Sequence, residues 1–223
     1  MKSFGLDIRD KVLLFDFDGT LVETEILAQK VIKQYFIEKN SPYHAPSELI
    51  IGRTWQAAIA SMHELARAAG ATLDAPEILL TEFKSRYEKA LHGGVNLIPG
   101  FLECLPILKA QSRFMGIVTG SYHEEVKVVL NHHKLGSYFE RIWAVGDYEK
   151  SKPDPSPYLT AIRELGVKPE DVIVFEDSKA GMESATRAGL SFVQMCYEVH
   201  AKVEDSRAIR VLQNWHDLLK VEE

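Results

Sequence analysis

Several absences bound this chain before any motif is read. Cysteine occurs only twice in 223 residues, at Cys104 and Cys196, with no metal-ligand spacing, so a disulfide framework is excluded. The expectation is two reduced, buried thiols. No stretch approaches the ~18 consecutive apolar residues of a membrane-spanning helix. Met1 to Lys11 lacks a signal-peptide apolar run, which points to a cytoplasmic protein. Positive charge in excess is also missing: 26 Lys and Arg stand against 32 Asp and Glu, a net charge of −6. A chain of that sign is not built to grip a phosphate backbone or an anionic membrane, so neither nucleic acid nor membrane is an expected partner. There are no repeats and no low-complexity tract. What remains is ordinary globular composition, 46% hydrophobic and 26% charged, in a chain long enough for one to two domains.

Four short apolar runs rich in Val, Ile and Phe read as buried parallel strands: Val12–Phe15, Phe114–Val118, Val172–Phe175 and Phe192–Met195. Ile142–Val145 is a weaker fifth. Helix-period stretches separate most of them. Ser121 and Glu124 form an S-x-x-E capping box ahead of Val126, Val129 and Leu130. Pro155 stands at a first helical position before Tyr158, Ala161, Ile162 and Leu165, with Gly166 as the stop. This alternation predicts an α/β fold with a mostly parallel sheet. The segment from 23 to 95 departs from it, with helix pattern and no strand. Leu27, Val31 and Tyr35 are spaced by four; Trp55, Ala58, Ile59, Met62, Leu65, Ala66 and Ala69 make a stripe ending at Gly70; Asp74 caps a third helix carrying Leu79, Phe83, Tyr87 and Leu91. A helical block inserted after the first strand reads as a second, small domain. The expected division is residues 1–22 with 96–223 against 23–95. Pro106, inside the expected helix Phe101–Ala110, predicts a kink or a late start.

Acid and hydroxyl residues gather just past the carboxyl ends of the strands, where open α/β sheets bind ligands. They are Asp16-Phe17-Asp18-Gly19-Thr20, Thr119-Gly120-Ser121, Lys152-Pro153-Asp154-Pro155 and Glu176-Asp177-Ser178. Gly19 permits a tight turn just past the two aspartates. Carboxylates crowded at one sheet edge repel unless a cation joins them, and all-oxygen ligands favour Mg²⁺. With Asp16, Glu176 and Asp177 ionised, Mg²⁺ and Lys152 together cancel the fixed charge, leaving a site that accepts a phosphate group. Thr119 and the N–H groups after it supply neutral donors to that phosphate. Plainer roles exist for each: helix caps for Asp16, Asp18 or Glu176–Ser178, and a surface loop for Lys152.

These residues carry a resemblance. VLLFDFDGTLVETE (Val12 to Glu25) resembles the first motif of the haloacid dehalogenase superfamily, and GIVTGS (Gly116 to Ser121), KPDP (Lys152 to Pro155) and VIVFEDSKAGMESATRAG (Val172 to Gly189) resemble the second, third and fourth. NLIPG (Asn96 to Gly100) resembles the family's return from an α-helical cap. The resemblance implies a Rossmann-like core with an inserted α-helical cap, Mg²⁺ dependence and an aspartyl-phosphate intermediate. It implies Asp16 as nucleophile and Asp18 as general acid and base. Thr119 and Lys152 would hold the phosphoryl group, with Gly19, Thr20, Gly120 and Ser121 around it, and Lys152 would also orient Asp16. The metal would be held by Asp16, the Asp18 carbonyl and Asp177, with Glu176 bound directly or through water.

Within the family, Asp18 favours phosphoryl transfer over attack on carbon. The phosphonate-cleaving branch uses a cap lysine; here the cap loop reads Ile51-Gly52-Arg53-Thr54, and arginine does not supply a neutral amine, although Lys30 and Lys84 lie elsewhere in the cap. The β-phosphoglucomutase branch is similar in core motifs, but its polar residue on the first cap helix is Ala28 here. Receiver modules, which also take phosphate on a strand-end Asp, are about half this length. The expected function is hydrolysis of a small phosphorylated metabolite, a sugar phosphate or phosphoglycolate-like acid, with a mutase-like phosphotransferase as the alternative. Arg53 would clamp a second polar group of the substrate. A monomer or weak homodimer is expected.

Overall fold

The computed structural model describes residues 6–41, 43, 46–50, 54–197 and 204–219. The chain divides into two compact units, Met1–Glu23 with Asn96–Glu223, and Thr24–Val95.

The first unit is a six-stranded sheet: β1 (Val12–Phe15), β2 (Phe114–Val118), β3 (Arg141–Trp143), β4 (Val172–Glu176), β5 (Ser191–Met195) and β6 (Arg210–Leu212), in the spatial order β3-β2-β1-β4-β5-β6. All five pairings are parallel, with Phe15 level with Ile117 on one side and Phe175 on the other. Successive strands therefore need crossovers, and helices α4 (Phe101–Gln111), α5 (His123–His132), α6 (Ser156–Leu165) and α7 (Lys179–Arg187) lie in the four connections from β1 to β5. Helices on both faces explain why β1 is apolar at every position rather than alternating. On one face Val12, Leu14, Val118, Trp143, Tyr158 and Val174 pack together. On the other, Phe15 stacks on Phe175 at 4.9 Å between centroids, and Trp215 packs 5.1 Å from both Phe175 and Phe101. Trp215 also donates its indole N–H to the Thr20 carbonyl at 2.9 Å, and its main-chain N–H to Pro99 at 3.0 Å. Cys104 and Cys196 are buried thiols that form no disulfide.

Several local expectations shift. α4 runs through Pro106 without a break: at the sixth position the ring removes the bond to Leu102, a residue 52% exposed, where water can solvate the carbonyl. α5 begins at His123, and the residue before it, Tyr122, takes the cap: its N–H donates to Glu125 at 2.8 Å. The Ser121/Glu124 box does not form, because the Ser121 hydroxyl is drawn to Asp18 instead. α6 likewise begins one residue after Pro155.

The second unit holds α1 (Thr24–Glu38), α2 (Trp55–Ala68) and α3 (Pro76–His92). Leu79, Phe83, Tyr87 and Leu91 are all buried, as their spacing predicts. Tyr35 meets Phe83 edge-on at 5.0 Å, and Trp55 lies 5.6 Å from Tyr87. The α2 stripe is narrower than expected: Ala58, Ile59, Met62 and Ala66 are buried, whereas Leu65 is 42% exposed. Asp74 is not the cap of α3; Ala75 takes that position, and Asp74 accepts the Tyr35 hydroxyl at 2.7 Å. No helix among the described residues is long and apolar enough to cross a membrane.

Candidate active site

The strand order reverses direction at β1, from which the chain goes to β2 and β3 on one side and to β4, β5 and β6 on the other. In open parallel sheets the crevice beyond the carboxyl ends at such a point is the usual ligand site. Asp16 comes directly after β1, its N–H still donating to the Phe175 carbonyl at 2.9 Å. Glu176 is the last residue of β4, and Asp177 is the next. All three are buried, and one carboxylate oxygen from each lies within 4.8 Å of the others.

Lys152 enters this group from the loop after β3, just before a cis proline, Pro153. Its ammonium donates to Asp16 Oδ1 at 2.6 Å, to Glu176 Oε1 at 2.5 Å and to the Val118 carbonyl at 2.9 Å. Burial pushes the Asp16 carboxyl well above the usual carboxylate range; Lys152 opposes that rise, while Glu176, Asp177 and Asp18 add to it. Burial also works against the Lys152 ammonium, yet Asp16 and Glu176 outweigh it and hold its pKa well above the ordinary lysine value. Three buried carboxylates around one ammonium leave negative charge that a divalent cation would offset, and the all-oxygen donor set fits such a cation.

Asp18 lies two residues beyond Asp16. Its Oδ2 accepts the Ser121 hydroxyl at 2.6 Å and the Thr119 hydroxyl at 3.3 Å. Thr119 is itself fixed, its N–H donating to Trp143 at 2.9 Å and its carbonyl accepting the Tyr148 hydroxyl at 2.7 Å. The two motif loops are thus joined through a carboxylate whose orientation two hydroxyls set.

Other expected contacts are placed differently. Gly19 has φ of 79°, the left-handed region its tight turn needs, but its N–H donates to Val22 at 2.8 Å and is not offered to a phosphate. Thr20 is completely buried, and its hydroxyl donates to Asp177 Oδ1 at 3.0 Å, so it holds a carboxylate rather than meeting substrate. The N–H row after Thr119 is also partly committed: Ser121 N–H turns back to Thr119 Oγ1 at 3.0 Å, and Tyr122 N–H goes to Glu125. Gly120 is exposed. Arg53, with Ile51 and Gly52, lies outside the described residues.

Pattern reading did not foresee how three residues hold Glu176. Tyr158 donates its hydroxyl to Glu176 Oε1 at 2.9 Å. Ser178 caps α7 and also donates its hydroxyl to Glu176 Oε2 at 3.1 Å. Gly181 leaves room for the Glu176 carboxylate: a Cβ there would lie 1.8 Å from Oε1. Together the residues supply a carboxylate clamped by an ammonium, a second carboxylate oriented by hydroxyls, and an oxygen cluster fit for a divalent cation. These are the parts of phosphoryl transfer through a carboxylate nucleophile.

The chain is similar in sequence and in fold to known proteins. The chain is 31% identical over 191 residues to Protein CbbY of Rhodobacter capsulatus, covering 82% of this chain and 84% of that one. It is 28% identical over 201 residues to the phosphorylated carbohydrates phosphatase of Thermotoga maritima, covering 89% of each. The crystal structure of a putative beta-phosphoglucomutase from Thermotoga maritima superposes with a TM-score of 0.75 at 25% identity, covering 93% of this chain and 96% of that one. A sequence profile of haloacid dehalogenase-like hydrolases spans residues 13–195, from the second residue of β1 to the last of β5. That span takes in all four motif loops and the strands that carry them, and the chain belongs to the haloacid dehalogenase-like hydrolase family.

Proposed function

We propose that the chain is a Mg²⁺-dependent phosphatase that hydrolyses small phosphate monoesters, sugar phosphates foremost, with Asp16 as nucleophile. The observation that carries this reading is the buried Asp16 carboxylate held at 2.6 Å by Lys152, beside Glu176 and Asp177. The sugar-phosphate preference rests on the named activity of the Thermotoga maritima relative.

Asp16, Asp177 and the Asp18 carbonyl would hold Mg²⁺, which when bound offsets the negative charge of nucleophile and phosphate; Glu176, the other expected ligand, would stand beside the ion rather than bind it directly, because its two oxygens already accept from Lys152, Tyr158 and Ser178. Lys152 fixes which Asp16 oxygen is free to attack and shields the approach of a second anion. Asp16 attacks phosphorus, and the ester oxygen leaves as an alcohol with a proton from Asp18. Asp18, now ionised, takes a proton from the water that hydrolyses phospho-Asp16, returning both carboxyls to their starting states. The hydroxyls of Ser121 and Thr119 keep Asp18 oriented through both transfers.

The test is phosphate release from a panel of small esters, with hexose phosphate interconversion measured in parallel. Hydrolysis should stop with a chelator, return with Mg²⁺ and be lost in Asp16→Asn with the fold intact. Substantial turnover without metal, or in Asp16→Asn, overturns the reading. Interconversion faster than phosphate release would make the chain a phosphotransferase instead.

A further inference from the structure

By pattern alone Tyr158 is one apolar position in α6. In the fold it is fully buried, among Trp143, Val118 and Val174. A phenol placed there needs a hydrogen-bond partner, and its partner is a carboxylate: the hydroxyl donates to Glu176 Oε1 at 2.9 Å. The same oxygen accepts the Lys152 ammonium at 2.5 Å, and that ammonium lies 5.0 Å from the centroid of the Tyr158 ring. The other oxygen, Oε2, accepts the Ser178 N–H at 3.2 Å and the Ser178 hydroxyl at 3.1 Å. Four donors fill the roughly four lone-pair sites of a carboxylate. Gly181 completes the enclosure, since any side chain there would collide with the carboxylate.

Lys152 is divided between two acids. Of its three acceptors, Glu176 is fully buried and Asp16 retains some exposure. A buried carboxylate without other donors binds an ammonium the more strongly, because nothing else compensates its charge. Left to Lys152 and Ser178 alone, Glu176 would draw the lysine away from Asp16. The bond from Tyr158 takes up part of the charge on Oε1 and prevents this.

We infer that Tyr158 is a positioning residue of the catalytic site: by donating to Glu176 it keeps Lys152 shared with Asp16, where the ammonium meets the phosphoryl group. Tyr158 touches no reacting atom; it acts through Glu176 and, beside that, through its own contact with Lys152. The inference rests on the phosphatase reading above, and it assigns a role that phenylalanine, which packs equally well, does not fill.

Tyr158→Phe keeps the ring, its volume and its place under the ammonium, and removes only the hydroxyl. The measurements are calorimetric titration of the Mg²⁺-loaded chain with inorganic phosphate, steady-state kinetics, and thermal unfolding. Phosphate should bind about tenfold more weakly, and kcat/KM should fall by a similar factor, the scale of one hydrogen bond to a charged group. In a Glu176→Gln background the same change should cost less than about threefold, because the route through Glu176 is gone and only the direct contact between Tyr158 and Lys152 remains. A lower Tm with phosphate affinity within twofold of the unaltered chain would reduce Tyr158 to packing and overturn the inference. Losses that multiply in the double variant would overturn it as well. Failure of the unaltered chain to bind or release phosphate overturns the phosphatase reading, and this inference with it; normal behaviour of the unaltered chain with an unaffected Tyr158→Phe overturns the inference alone.

Discussion

Lys152→Met removes a single charge from the centre of the site while keeping most of the side-chain stem. The side chains of Lys152 and Asp16 are each 10% exposed and that of Glu176 is 0% exposed, so the ion pairs are buried and little screened. The variant loses three hydrogen bonds and leaves two carboxylates facing each other without a counter-charge. Removing one partner of a buried pair costs about 3–5 kcal/mol, and that is the expected loss at pH 8 in metal-free buffer. The loss should shrink in acid. Burial already raises the Asp16 pKa, and Lys152 is the group that opposes the rise. Without Lys152 the folded chain binds a proton on Asp16 at a pH where the unfolded chain, titrating near ~3.9, has released it. Stability from a carboxyl raised in this way is fully present below the unfolded value and is lost as pH rises through the folded value. The variant should therefore lie closer to the unaltered chain at pH 5 than at pH 8. Urea unfolding monitored by tryptophan emission suits the measurement, because Trp143 and Trp215 are both fully buried in the sheet-bearing unit. A loss below about 1 kcal/mol at pH 8, the scale of an exposed pair, would refute the argument. So would a loss equal at both pH values.

Asp18→Asn should give a near-stoichiometric burst of p-nitrophenol from p-nitrophenyl phosphate, then slow turnover, because that leaving group needs no proton; a sugar phosphate should give neither. Rapid mixing with each ester decides it, and equal first-step losses would leave Asp18 a geometric role only. Gly181→Ala places a Cβ 1.8 Å from Glu176 Oε1, so the carboxylate must move. Hydrolysis should fall by about 10²-fold, the cost of misplacing a site group by an ångström; kcat/KM within tenfold of the unaltered chain would show that this placement is not needed. Tyr35→Phe removes the 2.7 Å bond to Asp74 and should destabilise the Thr24–Val95 unit by about 1 kcal/mol without changing kcat. Emission from Trp55, the one tryptophan in that unit, reports the change, and an unaltered midpoint would contradict it.

The main strands were legible because each is a short apolar run with polar ends, a consequence of burial on both faces. β6 was not: three residues, Arg210 to Leu212, at the sheet edge carry no period to detect. The helical unit was legible in kind, and α3 residue by residue. In α1 the spacing by four chose Leu27, which is only half-buried, while Ala28, Ile32 and Phe36 join Val31 and Tyr35 inside. With 3.6 residues per turn a buried face includes neighbours at three as well as four, and the wider buried face of α1 takes these in, whereas the narrow one of α3 does not. In the site, Asp16 and Glu176 could be placed because chain connectivity alone carries them to the strand ends. Their partners could not. Thr20 turned to Asp177, 157 residues away, rather than outward, and Ser121 took Asp18 over its own helix. Such choices are competitions between distant groups, and sequence spacing does not record who wins them.

The tie between Trp215 and the Thr20 carbonyl sets an order of events during synthesis. Thr20 leaves the ribosome 195 residues ahead of the indole that will hold it, an interval of roughly 10–40 s at 5–20 residues per second. β1 also waits, about 100 residues for its first partner, β2 at Phe114, and about 160 for its second, β4 at Val172. Before β2 is made, the Thr24–Val95 unit, contiguous in the chain, can fold completely, while Val12–Phe15 stays a fully apolar strand with two open edges, and one edge remains open until β4 follows. The segment that carries Asp16 is thus the first part of the sheet to be made and the last to be secured, and the nascent chain is most exposed to aggregation at the strand that leads into the candidate site.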